Sequence, residues 1–104
     1  MSLSTHVLDT SKGSPAPGLT VTLHDASGTS IGDGVTDADG RVARIGPDPL
    51  PAGDYRLEFD TGGYHHGAGF YPRVDIWFTV ADAGQHYHVP LLLNPFGYAT
   101  YRGS

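Results

Sequence analysis

The chain has 104 residues, a formal net charge of −5, one lysine, five arginines and no cysteine; that length makes one domain with a modest core. An acidic chain with scattered cations offers no basic field to nucleic acid or to an anionic membrane. Without thiols it has no disulfide, no thiolate metal site and no cysteine nucleophile. Charged residues are only 16%, beside 15 glycines and 8 prolines, so the surface suits strands joined by tight loops and leaves area for contacts between copies.

In chain order, "MSLSTHVLD" lacks the basic start and apolar run of a secretory signal. No stretch is long and apolar enough to span a membrane, and the ending is not a peroxisomal address, so a cytoplasmic location is expected. His6 alternates with Val7 on a first strand. After the turn "SKGSPAPG", "LTVTLHD" puts Leu19, Val21 and Leu23 on one face and Thr20, Thr22 and His24 on the other, the period of a half-buried strand. "TDADG" reads as a tight turn whose aspartates satisfy local N–H groups and which delivers Arg41 to the start of the next strand. The same segment resembles part of an EF-hand loop. With Gly40 at the turn position, however, Val35 and Gly46 would occupy the first and last ligand positions, and neither can serve there.

Beyond the turn cluster "GPDPLPAGD", "YRLEF" points Tyr55, Leu57 and Phe59 inward. "TGGYHHGAG" is the one helix candidate; its glycines cost about 1 kcal/mol each against alanine, which predicts a short helix held by packing. "VDIWFTV" turns Val74, Ile76, Phe78 and Val80 inward, and "HYHVPLLL" does the same with Tyr87, Val89, Leu91 and Leu93. Trp77 on a polar face marks an interface between copies. Pro90 within a strand predicts an edge position or a bulge. The reading is an all-β, antiparallel sandwich of seven to eight strands with one short helix, a single domain over residues 1–104.

Six histidines are many for this length. His86 and His88, at i and i+2, share a strand face, and imidazole exchanges protons near neutrality, its ordinary pKa being about 6.5. H-x-H could supply two zinc ligands, with a third from His6 or from His65 and His66. No acidic or thiolate ligand sits at a compelling spacing, so no metal is expected. The isolated arginines Arg41, Arg44, Arg56, Arg73 and Arg102 suit recognition of specific oxygens rather than a general field. Signatures of a nucleophilic serine, a P-loop or a dinucleotide fold are absent. The ending "ATYRGS" follows the apolar run "VPLLL" by only a short turn.

The segments "STHVLDTSKGSPAPGLTVTL", "TDADGR", "YPRVDIWFTV" and "HYHVPLLLNPFGYATYRGS" together resemble the transthyretin-like proteins over essentially the whole chain. The resemblance implies a prealbumin-like sandwich with its helix after "YRLEF". The family has two branches: transthyretin, an extracellular thyroid-hormone carrier, and 5-hydroxyisourate hydrolase, a cofactor-free enzyme of urate breakdown. Tyr101-Arg102-Gly103-Ser104, combined with His6, Arg41 and His88, is similar to the hydrolase branch. The Gly-rich "TGGYHHGAGFYP" departs from the family's pattern. The alternatives are a non-catalytic carrier of a small aromatic ligand and a monomeric structural module.

The hydrolase resemblance further implies a homotetramer, a dimer of dimers, whose active sites lie in a channel at the dimer–dimer interface with the chain end lining it. The small purine-derived substrate would be opened at an amide-type C–N bond to 2-oxo-4-hydroxy-4-carboxy-5-ureidoimidazoline without cofactor or metal. His6 or His88 would be the general base, with His6 favoured. Arg41 would bind substrate oxygens and stabilise developing charge. Ser104 would orient water or ring, and Tyr101 would supply a hydrogen bond or stacking wall. Arg102 would either hold the end by an ion pair or touch substrate.

Overall fold

The structure, a computed structural model, describes residues 3–104. Nine strands and one helical turn follow in order: β1 (Leu3–Asp9), β2 (Ser14–Pro15), β3 (Thr20–His24), β4 (Ser30–Val35), β5 (Arg41–Ile45), β6 (Gly53–Phe59), α1 (Thr61–Tyr64), β7 (Val74–Val80), β8 (Tyr87–Asn94) and β9 (Gly97–Thr100). They form two sheets. One has the order β2-β1-β8-β9, with β5 also paired to β1; the other runs β4-β3-β6-β7. The inward faces read from the sequence meet between them. Leu3 and Val7, Leu19, Val21 and Leu23, Leu57 and Phe59, and Leu91 and Leu93 are buried in one core. That burial is the main favourable term holding the sandwich together.

Two expectations need correction. β1 and β8 pair in parallel along their whole length, from Leu3↔Tyr87 to Asp9↔Leu93, whereas the other strand pairings among the described residues are antiparallel. Period-two alternation fixes which face a residue takes and says nothing about its neighbour strand. Pro90 lies in β8, an interior strand between β1 and β9, not at an edge. Its missing N–H falls where the regular β8–β9 ladder stops at Leu91↔Thr100. Thr100 Oγ1 donates to the Pro90 carbonyl instead, at 2.7 Å, and pairing resumes only at the bridge His88↔Gly103. Proline in mid-sheet is tolerated because the ladder is interrupted there.

The helix is as short as its glycines require. Asp60 caps it by accepting from Gly63 N at 3.0 Å, and its last residue ties the two sheets together. Tyr64 Oη donates to Asp9 Oδ2 at 2.7 Å, while Asp9 Oδ1 accepts from Ser11 N, Ser11 Oγ and Lys12 N. Asp9 is buried. Burial alone would raise its pKa, but the donors from Ser11, Tyr64 and Lys12 together hold the carboxyl below its ordinary value. Burial, then the Asp9 hydrogen bond and charge, push the Tyr64 phenol up to about 12. A folded-state pKa held low adds stability above the unfolded-state value and loses it as pH falls through the folded one. Tyr64→Phe is expected to cost about 1.5–3 kcal/mol at neutral pH, the range for a hydrogen bond to a charged group. Thermal unfolding of the two proteins should show that gap narrowing in acid, as Asp9 protonates. A gap independent of pH would mean that Tyr64 acts through packing alone.

Candidate active site

On the outer face of the larger sheet, three neighbouring strands bring distant parts of the sequence together. β5 pairs with β1 at His6↔Arg41, and β8 pairs with β1 at Ser4↔His88. Arg41 reaches this face through the predicted turn. Asp37 Oδ1 accepts from Asp39 N at 2.9 Å and from Arg41 N at 3.0 Å. Gly40 takes a φ of 74°, in the left-handed region that glycine enters without strain. The Asp37 side chain thus serves the turn as expected, whereas Asp39 contributes its backbone, its N–H to Asp37 and its carbonyl to His6. The Arg41 guanidinium has no hydrogen bond or ion pair among the described residues. A permanent cation left free beside two imidazoles is an unfilled site for an anion or a polarised carbonyl oxygen.

Ser4, Arg41, Ala43, His86, His88 and Ser104 line a cleft of about 310 Å³ at this spot. His88 is its best-defined member. Its Nδ1 stands 2.7 Å from Ser4 Oγ, which leaves Nε2 as the ring nitrogen available to an occupant. Burial first, then the charges of Arg41, His6 and His86, push this imidazole below its ordinary pKa; contact with Ser4 opposes the shift without cancelling it. The chain end is strapped to the same residue, Gly103 N donating to the His88 carbonyl at 2.9 Å. A Cβ at Gly103 would lie 2.5 Å from His88 Cδ2. A side chain there would displace the ring, which gives the glycine of the terminal motif a steric reason.

The remaining expected residues sit around this cleft rather than in its lining. His6 is on the same face as Ser4, and its Nε2 donates to the Asp39 carbonyl at 2.9 Å, so a neutral His6 offers only Nδ1 as an acceptor. Tyr101 and Arg102 line a second groove of about 320 Å³, together with Trp77, Tyr87 and His88. Arg102 lies 4.7 Å over the Tyr87 ring and donates to Gln85 Oε1 at 3.0 Å; it holds the end by a cation–π contact and a neutral acceptor rather than by an ion pair. His66 lines a separate hollow with Lys12 and Tyr64. Among the described residues no three His, Asp or Glu side chains gather as a metal-ligand set. Sequence reasoning missed Ser4. It saw that His86 shares a face with His88, but Ser4 joins them only because β1 runs parallel to β8.

The family model described as the HIUase/Transthyretin family matches residues 3–103. The chain is 44% identical to a 5-hydroxyisourate hydrolase of Salmonella typhimurium, over 98% of this chain and 80% of that one. Among solved structures it superposes on 5-hydroxyisourate hydrolase of Klebsiella pneumoniae with a TM-score of 0.90 and 42% identity, covering both chains completely. It also superposes on sea bream transthyretin in complex with thyroxine with a TM-score of 0.88 and 36% identity, over 99% of this chain and 95% of that one. In sequence and in fold, then, this chain belongs to the HIUase/Transthyretin family.

Proposed function

We propose that this protein is a 5-hydroxyisourate hydrolase that opens its substrate's six-membered ring at an amide-type C–N bond, releasing a carboxylate. The observation that carries this reading is the cleft where an unpaired guanidinium meets an imidazole of lowered pKa and Ser104. Hydrolysis of an amide-type bond needs an activated water, a stabilised oxyanion and a proton for the departing nitrogen. His88 Nε2 is the base. Its environment keeps the ring neutral at neutral pH, so a lone pair is present to take the proton of water. Arg41, fixed at the head of β5 by its turn, binds the carbonyl oxygen and stabilises the charge that develops there. His6 is the second imidazole, its orientation set by Asp39, and it positions substrate or water through Nδ1. Ser104 orients the ring or water, Tyr101 walls the approach, and Arg102 anchors the end. With no covalent intermediate, positioning supplies much of the acceleration.

The protein works as a homotetramer in this reading, a dimer of dimers whose clefts are completed at the dimer–dimer interface. Trp77, Phe96 and Tyr101 are large apolar groups left exposed on one chain, and surfaces of that kind are covered in assemblies. A cytoplasmic location fits a chain without cysteine and with no helix among the described residues long and apolar enough to cross a membrane. The carrier alternative draws on the thyroxine bound by the sea bream protein. A carrier has no use for a free arginine beside a neutral histidine.

Ultraviolet decay of freshly generated 5-hydroxyisourate, with and without protein, tests substrate and chemistry together. Arg41→Ala and His88→Ala are expected to lower kcat by about 10²–10³ each while size-exclusion behaviour is unchanged; near-normal turnover in both would remove the site. The acid limb of kcat should lie below about 6.5, the ordinary imidazole value, because a base with a lowered pKa stays deprotonated further into acid. A limb above that value would assign the base elsewhere. Several residues appended after Ser104 should abolish turnover with little change in thermal midpoint, since they would grow into the cleft. An active tailed protein would place Ser104 outside the working site.

A further inference from the structure

Ser4 Oγ stands between two imidazoles, 2.7 Å from His88 Nδ1 and 3.0 Å from His86 Nε2. A hydroxyl carries one proton. Where two ring nitrogens meet one hydroxyl, it can donate to only one of them, and the other must donate to it if both hydrogen bonds are to form. The protonation of the two rings is therefore linked. If Ser4 donates to His88 Nδ1, then neutral His88 carries its proton on Nε2 and can only donate into the cleft. If His88 Nδ1–H donates to Ser4, then Ser4 donates to His86 Nε2, and His88 Nε2 faces the cleft with a lone pair.

We propose that Ser4 and His86 are positioning residues that hold His88 in the Nδ1–H tautomer, and that the Ser4 hydroxyl passes the proton His88 gains on to His86. This rests on His88 being the base. The step balances. As the O–H bond of water breaks, its proton bonds to His88 Nε2. The Nδ1 proton moves to Ser4 Oγ, and the proton Ser4 carried moves to His86 Nε2. His86 is then the cation, and His88 is neutral with a proton on Nε2, facing the substrate. Reversing the relay lets His88 give that Nε2 proton to the departing nitrogen, so one ring serves first as base and then as acid.

The surroundings give the relay its direction. Burial first, then Arg41 from β5, His6 from β1 and His86, stand against positive charge on His88, while its contact with Ser4 favours that charge. Ser104 of the chain end also lines the cleft, and Gln85 beside His86 accepts from Arg102. His86 lies only two residues from His88 along the chain yet is reached through a hydroxyl, so the charge leaves the ring that must face substrate. The remaining nitrogen of His86 has no partner among the described residues and can carry the second proton of an imidazolium.

The test is a long-range proton–nitrogen correlation spectrum of histidine-labelled protein at mildly alkaline pH, joined to kinetics of the same variants. In the wild type His88 should be protonated on Nδ1 and bare on Nε2; Ser4→Ala and His86→Phe should each give a mixture of tautomers. Both variants should lose about 10–100-fold in kcat, the range for loss of a partner that orients an active group, with KM within about twofold. Ser4→Thr, which keeps the hydroxyl, should recover both tautomer and rate. A wild-type His88 protonated on Nε2 overturns the proposal, as does a Ser4→Ala protein with unchanged tautomer and kcat. Should Ser4→Ala not fold, His86→Phe leaves β1 untouched and reads the same tautomer. The spectrum needs no substrate, so it fails separately from the hydrolase reading, which stands or falls on His88→Ala turnover.

Discussion

The parallel ladder between β1 and β8 is the constraint on which the rest depends. It sets residues 3–9 beside residues 87–93, so the beginning and the end of the chain form one wall. Every group proposed to act on substrate lies on that ladder or on a segment attached to it. Arg41 comes from β5, held on the outer edge of β1, and the end segment is bridged to β8 at His88. Slipping β1 by one residue against β8 would turn Ser4 and His6 inward and their buried neighbours outward. Leu3, Val7 and the other core residues of β1 oppose that slip, so the hydrophobic core fixes the register of the site.

The two faces of this sheet treat polar groups differently. On the inner face Asp9 is buried, and both its oxygens are satisfied by Ser11, Lys12 and Tyr64; an unpaired carboxylate there would cost several kcal/mol. On the outer face the Arg41 guanidinium has no hydrogen bond or ion pair among the described residues. A cation in that position gains most when an oxygen arrives to pair with it, which is what transition-state stabilisation requires. Stability and chemistry are thus assigned to opposite faces of the same sheet.

Much of this was legible in the residues. Alternation named the inward side of β3, β6, β7 and β8 correctly, because a half-buried strand imposes a period of two on its hydrophobic residues. The "TDADG" turn and its delivery of Arg41 followed from the local chemistry of aspartate and glycine. Strand partnership was not legible. The parallel pairing, the interior place of Pro90 and the meeting of Ser4 with His86 and His88 all depend on contacts more than eighty residues apart in sequence. No local pattern encodes such contacts. The division of the terminal motif, with Ser104 on the cleft and Tyr101 and Arg102 on the neighbouring groove, was hidden for the same reason.

His88 belongs to the lining of both hollows. Residue 88 thus stands where two rooms meet, one polar and holding Arg41, the other walled by Trp77, Tyr87 and Tyr101. A shift of the β8 backbone at that one position would reshape both rooms at once.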